Sequence, residues 1–410
     1  MLFYLIGIKG SALSALAKIL LGKGHIVRGV DVEEDFYTLK NTYGIKIESF
    51  SSMNLKKSYY YIIGNAYQKH SVTSYIKRMN YKWDNYPQFL SKFFHEEKWI
   101  CVAGTSGKTT TTKMISTILP EATSLIGDGS CQLGKDDLFV LESCEYKDTF
   151  LNYSPTISLI LNVNYDHVDY FKTREAYEKS FIQFANQSQI CIVNGDEFSY
   201  RANHIITYGM NKDNDIVFTY EHGKVTILRS IFFLPILGLK YAYDFVGAYV
   251  AAKLLNVRDD FIQMRINEFS MPKRRLEKTI LGSQIVISDY AHHPNEVESI
   301  FESVNEQYPQ LKKICIFEPH TLSRLQYFLQ DYKRILKQFD EAYMYPLFSS
   351  ARETHNLVLE QALYKELELL PYDYHTKCQL QKQKNAVICF LGAGVIDRAV
   401  EEYKKEFQLL

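Results

Sequence analysis

The chain carries no excess of charge of either sign: 47 Lys and Arg residues balance 47 Asp and Glu over 410 residues. Without a global field, neither nucleic acid nor an anionic membrane surface is favoured as a partner, so any anionic ligand must be held by local loops. No stretch of about 18 apolar residues runs free of charge, which excludes a transmembrane helix. The apolar start, MLFYLIGIKGSALSALAKILL, lacks the basic leading region of a signal peptide, and Lys9 and Gly10 interrupt it. Cysteine is sparse and odd in number, seven in all, with no CxxC pair and no metal-ligand spacing. Cys101, Cys191, Cys315 and Cys389 lie in apolar, strand-like runs, where a reduced thiol is a small hydrophobe. A reducing cytoplasm is the expected location. Low-complexity linkers and short-period repeats are also missing.

What is present is globular: 46% hydrophobic and 14% aromatic residues, over a length too great for one core. Apolar strand runs recur at 59–64, 98–104, 138–144, 156–164, 190–195, 284–290, 312–320 and 386–394, with helical patterns between most of them. This alternation predicts parallel α/β sheets repeated over several domains. At the start, a short strand (Leu2 to Ile6), a glycine turn (Gly7, Gly10), a helix from Ser11 to Leu21 and a second strand ending at Asp31 make a β–α–β unit. An acid after the second strand is the arrangement of a nucleotide-binding half.

Residues 102–110, Val-Ala-Gly-Thr-Ser-Gly-Lys-Thr-Thr, are the most informative stretch. An apolar strand feeds a glycine loop, and a helix-compatible segment follows. Gly104, Gly107, Lys108 and Thr109 match the end of the phosphate-loop pattern, with a tighter spacing than usual. Glycines let backbone N–H groups turn onto a phosphate, the helix start adds positive potential, Lys108 reaches outer phosphates and a threonine hydroxyl can bind Mg²⁺. Gly104, Thr105, Ser106, Gly107, Lys108, Thr109 and Thr110 are thus the expected ATP-binding residues. The next strands end in Glu142 (with Glu145 three residues on) and in Asn162, Asn164, Tyr165, Asp166 and His167. Ligands of parallel sheets gather at the carboxyl ends of strands, so loop, Glu142 and His167 should converge. Thr109, Glu142 and His167 form a donor set suited to Mg²⁺ beside nucleotide phosphates. The plainer readings are a turn carboxylate for Glu142 and a packed or capping histidine for His167.

Taken together, GIKGSALSALA, AGTSGKTTTT, ESCEYKDTFL, LNVNYDHVDYF, KRRLE, SDYAHHPNE, FEPHTLSR and GAG, in this order, resemble the Mur ligases of peptidoglycan synthesis. These are ATP-dependent enzymes that join amino acids to a UDP-linked muramic acid. SDYAHHPNE followed by FEPHTLSR is similar to the type that adds L-alanine to UDP-N-acetylmuramate, and to a relative that re-uses tripeptides. The resemblance implies three domains: 1–97 Rossmann-like and binding the UDP substrate, 98–268 phosphate-loop ATPase-like with a parallel or mixed sheet, and 269–410 Rossmann-like and binding the amino acid. It implies that Lys108, Glu142 and His167 act in catalysis with ATP and Mg²⁺, and that Gly7, Gly10, Ser11 and Asp31 hold the uridine diphosphate. Arg275 would belong to the hinge and touch phosphate, and Tyr290, His292, His293 and Arg324 would line the amino-acid side. For the exposed HH-Pro turn a loop is the plainer reading, and for Arg324 a helix cap. Partners are small molecules only, and a monomer or weak homodimer is expected.

Several positions depart from the family pattern. Lys9 replaces a glycine in the first loop, and Ser106 replaces a histidine. Tyr243, Asp244 and Gly247 stand where a His-Asn…Asn stretch faces adenine, and no lysine matches the carbamylated one near Phe181. Three readings follow: the L-alanine ligase, the tripeptide-recycling ligase, and a non-catalytic nucleotide-binding homologue.

Overall fold

The computed structural model describes residues 1–32, 38–348 and 356–407, and it is an α/β structure in three domains. The first sheet is wholly parallel, in the order Lys46–Ser49, Ile26–Asp31, Leu2–Ile6, Tyr60–Ile63, Lys82–Asn85. Its central strand, LFYLI, is apolar throughout because helices cover both faces of such a sheet. The helix Ser11–Gly22 follows the first glycine turn.

The second sheet positions the site. Its strand Lys98–Ala103 lies between Ile157–Ile160 and Leu138–Glu142, both parallel to it. Val102 is level with Glu142, and Ala103 with Ile160, so three strands end side by side. One edge continues through Ile190–Asn194 and Ile205–Gly209 into antiparallel hairpins, Ile216–Glu221, Lys224–Ile227 and Ser230–Phe233. The sequence reading names no strand in this region. The signal is short: the His222-Gly223 turn takes positive φ at both residues, the geometry that two-residue hairpins require.

The third sheet runs Glu277–Leu281, Gln284–Asp289, Ala386–Leu391, Lys312–Phe317, Glu341–Met344, Leu370–Pro371, parallel except for the first strand. Each expected strand run forms. The domains also touch. Phe94 stacks on Phe139 at 4.2 Å between the first two, and Tyr165 meets Tyr327 at 5.4 Å between the last two. Among the described residues no helix is long and apolar enough to cross a membrane.

Candidate active site

The glycine loop connects Lys98–Ala103 to the helix Lys108–Ile118, as the pattern predicts. Gly107 caps that helix at φ +84°, and a Cβ there would stand 2.5 Å from Asp244 Oδ1, so glycine is required twice over. Asn162, at the end of the neighbouring strand, clamps the loop. Its Oδ1 accepts from Ser106 N at 2.9 Å and its Nδ2 donates to Ser106 O at 3.1 Å. The Thr105 hydroxyl donates to Asn164 O at 2.6 Å. The loop is thereby shaped before any ligand arrives. Ser106 contributes backbone to this clamp, which any residue in its place could do.

Lys108 is not an exposed loop lysine. Its side chain is 14% exposed, and its ammonium donates to Gly104 O, to Thr105 O at 3.1 Å and to Glu145 Oε1 at 3.2 Å. Burial would lower its pKa, but the Glu145 carboxylate holds it above the usual lysine range. Glu145 also receives His167 Nε2 at 3.2 Å. Burial would raise the Glu145 pKa, and Lys108 and His167 bring it below the ordinary carboxylate value. His167 sits at φ +52°, the left-handed region unusual for a non-glycine residue, with the Tyr146 ring 4.7 Å away.

Glu142 lies on the other side of the loop lysine. Its carboxylate accepts from Gly127 N at 2.7 Å, and burial pushes its pKa up. A Cβ on Gly127 would fall 2.3 Å from Glu142 Oε2, so this acid too has a backbone approach built for it. Thr109 hydrogen-bonds Glu142, whereas the acid paired with His167 is Glu145. Among the described residues no three His, Cys, Asp or Glu side chains are grouped to hold a metal ion. A hard cation that takes one or two protein oxygens and completes its shell with phosphates and water fits such a site, and Thr109 with Glu142 offers those oxygens.

Two cavities flank the loop. One of about 270 Å³ lies between the first two domains and is lined by Ser11, Gly64, Asn65, Gly127, Glu142 and Cys144. Ser11 begins the helix capped by Gly10, so this cavity joins a helix N-terminus to Glu142. Gly7, at φ +87°, packs against the Tyr67 ring, where a Cβ would come within 2.4 Å. Asp31 is 4% exposed and accepts from Lys9 N at 2.7 Å, Val32 N at 2.9 Å and Tyr67 OH at 2.7 Å. Its carboxylate organises the first loop from within. The second cavity, about 170 Å³, lies beyond the loop and is lined by Ser106, Asn164, Lys240, Tyr243, Asp244 and Asn295. Asp244 is buried without a partner for Oδ2, and burial lifts its pKa to about 7.

The third-domain residues form a buried charged layer against the second domain. Arg324 donates to Asp166 from Nε at 3.1 Å and from one terminal nitrogen to both carboxylate oxygens at 3.0 Å. Burial would raise the Asp166 pKa, and Arg324, His167 and His293 hold it well below the usual range. Arg324, expected to line the amino-acid side, is engaged with Asp166 across the domain contact. His293 serves a helix as its N-cap. It is 4% exposed and caps the helix Pro294–Gln307, with Nδ1 accepting from Asn295 N. His292 lies beside Glu296 at 3.4 Å, and burial, with Arg324, lowers its pKa to about 4, so its ring is neutral. Arg275 stands 3.6 Å from Glu296 and 3.8 Å from Asp289, and Tyr290 receives the guanidinium groups of Arg274 and Arg275 on its ring at 4.7 and 5.3 Å. Asn162, Glu145 and Asp166 are the residues whose parts the sequence leaves unread. Their only signal is position, just after two strand ends.

Two family profiles match the chain: the Mur ligase family catalytic domain over residues 2–98 and the Mur ligase middle domain over residues 102–252. The UDP-N-acetylmuramate–L-alanine ligase of Limosilactobacillus reuteri is 32% identical, with 98% of each chain covered. Among solved structures, the UDP-N-acetylmuramate–alanine ligase of Thermotoga maritima superimposes with a TM-score of 0.79 at 20% identity, covering 100% of this chain and 99% of that one. A murein peptide ligase of Psychrobacter arcticus gives a TM-score of 0.71 at 19% identity, covering 99% and 98%. With a preformed phosphate loop, acids at the adjacent strand ends and this similarity from end to end, the chain belongs to the Mur ligase family.

Proposed function

We propose that this protein joins L-alanine to the carboxylate of UDP-N-acetylmuramate at the expense of ATP, in peptidoglycan precursor synthesis in the cytoplasm. The observation that carries the reading is the full-length similarity to a relative that bears that activity in its name. In this reading residues 1–97 take the UDP part, 98–268 the ATP and 269–410 the amino acid.

A carboxylate is a poor electrophile, so it must first accept the γ-phosphoryl group as an acyl phosphate, which the amine then attacks. Charge in the transfer spreads over phosphoryl oxygens, and catalysis is mostly placement and electrostatics. Lys108 and the loop N–H groups, held by Asn162, meet the outer phosphates. The muramoyl carboxylate enters through the cavity between Ser11 and Glu142. Thr109 and Glu142 would hold Mg²⁺, with His167 the third ligand expected from the sequence. When bound, the ion would neutralise phosphoryl charge. The amine must lose a proton, and a nearby histidine or carboxylate serves as base; burial and Arg324 keep His292 neutral but make it a weak acceptor. The carboxylate of L-alanine meets the Arg324 guanidinium, which stays paired with Asp166, since the group carries five N–H donors. The closed domains exclude water that would hydrolyse the acyl phosphate.

ADP release, measured with UDP-N-acetylmuramate, ATP and a panel of amino acids and peptides, tests the assignment. L-alanine should be preferred, with glycine and L-serine weak and a free tripeptide inert. Faster use of a tripeptide would make this the recycling enzyme. No ADP with any acceptor would make it a non-catalytic homologue.

A further inference from the structure

We infer that Glu145 is a positioning residue that stands in for the nucleotide's phosphate charge: its carboxylate holds the Lys108 ammonium and the His167 imidazole in place while the loop is empty, and it competes with the nucleotide for Lys108. The inference rests on the reading of this loop as an ATP site.

An ammonium has three protons to donate. Lys108 directs them at Gly104 O, Thr105 O and Glu145, so its donors are fully used within the protein. Two of those acceptors are carbonyls of the loop itself and cannot leave without unmaking it. Glu145 is the only anion of the three. A phosphate oxygen that reaches Lys108 therefore displaces Glu145, and the exchange keeps the lysine neutralised throughout. The side chain of Glu145 is 1% exposed, so no solvent shell softens its repulsion toward an incoming polyphosphate.

The same carboxylate has a second hold. His167 Nε2 lies 3.2 Å from Glu145 Oε1, and Asp166 Oδ2 lies 4.0 Å from the same nitrogen. His167 has a left-handed backbone, which costs energy and persists only when neighbours over-determine it. After Lys108 turns to the nucleotide, Glu145 still keeps this ring in place. A buried pair kept for stability alone would be a poor design, since apolar residues of similar volume often do as well. A buried carboxylate set against the one cation that must meet an anionic ligand, and also against a histidine of the site, is placed for function.

The test uses the full chain and metal-free ATP in EDTA, with affinity read by titration calorimetry. Two charge pairs are compared at two side-chain lengths: wild type with Glu145→Gln, and Glu145→Asp with Glu145→Asn. In each pair the neutral member should bind ATP more tightly, by about tenfold. The Asp variant keeps the charge but draws it back from His167, so its kcat with MgATP should fall by about tenfold or more while its ATP affinity stays near wild type. A merely structural role would lower affinity and stability together in all three variants. Should Glu145→Gln fail to fold, the Asp and Asn comparison carries the charge test alone. Equal or weaker ATP binding by the neutral members, in protein that wild-type circular dichroism shows to be folded, overturns the inference while leaving the ATP site standing. Failure of wild type itself to bind ATP overturns both.

Discussion

The Asp166–Arg324 pair offers the sharpest perturbation, because it joins the second and third domains through side chains only 8% and 7% exposed. Three contacts of 3.0–3.1 Å link the two groups. Removing one partner of such a pair strands a buried charge and costs about 3–5 kcal/mol, whereas removing both costs less than the sum. Close charge pairs at interfaces couple by roughly 1.5–7 kcal/mol. Arg324→Met and Asp166→Asn, singly and together, should therefore show a coupling of at least about 2 kcal/mol. Three domains need not unfold as one, so a global melting curve is a poor probe. Hydrogen exchange of peptides spanning 160–172 and 318–330 reads the local opening free energy instead. The folded Asp166 pKa is depressed, so its contribution is present above the unfolded carboxylate value and is lost only as pH falls through the folded one. Protection at pH 5 should thus match that at pH 7. Burial also makes salt a weak screen. If both single variants and the double exchange within about 0.5 kcal/mol of wild type, the pair does not hold the domains together in solution.

Further expectations concern the site itself. Lys108→Met should cut ligation by about a thousandfold or more and also lower hydrogen-exchange protection around the loop, since Glu145 loses its main counter-charge; near-normal turnover would remove the loop from the mechanism. Glu142→Ala and His167→Ala should each raise the Mg²⁺ concentration needed for half-maximal rate and lower kcat, and magnesium titrations that overlay wild type would contradict their metal role. Arg324→Ala should raise the KM for L-alanine far more than that for ATP; equal changes would remove Arg324 from amino-acid recognition. Asp244→Asn should stabilise the protein more at pH 8 than at pH 4, because a carboxyl raised to about 7 favours the fold when protonated and loses that contribution as pH rises through 7. Stability differences that do not change with pH would show that Asp244 is ionised alike in both states.

Much of the site was legible in the sequence because its parts are tied to strand ends. Gly104, Gly107 and Lys108 follow one strand, Glu142 ends the next in the sheet, and His167 follows a third, so a rule about parallel sheets brought them to one edge. The pairing within that edge was not legible. Whether Glu142 or Glu145 meets His167 depends on how the chain turns after 142, and Lys147 and Asp148 make that turn with positive φ that no pattern announces. Arg324 and Asp166 lie 158 residues apart, and only tertiary packing could pair them. His293 reads as a site residue from its motif, and it also caps its helix, which the following proline and Glu296 signal. The antiparallel hairpins leave little trace in the sequence because their short, half-exposed strands carry little periodicity beside the buried parallel ones.

The most direct measurement uses UDP-N-acetylmuramate labelled with ¹⁸O in its lactyl carboxylate, incubated with the protein, MgATP and L-alanine, with the products read by mass spectrometry. The account predicts an L-alanyl adduct of the UDP substrate and one ¹⁸O atom carried into each inorganic phosphate released, because the acyl phosphate breaks at its carbonyl when the amine attacks. Unlabelled phosphate, or ADP released with no alanyl adduct formed, would contradict it.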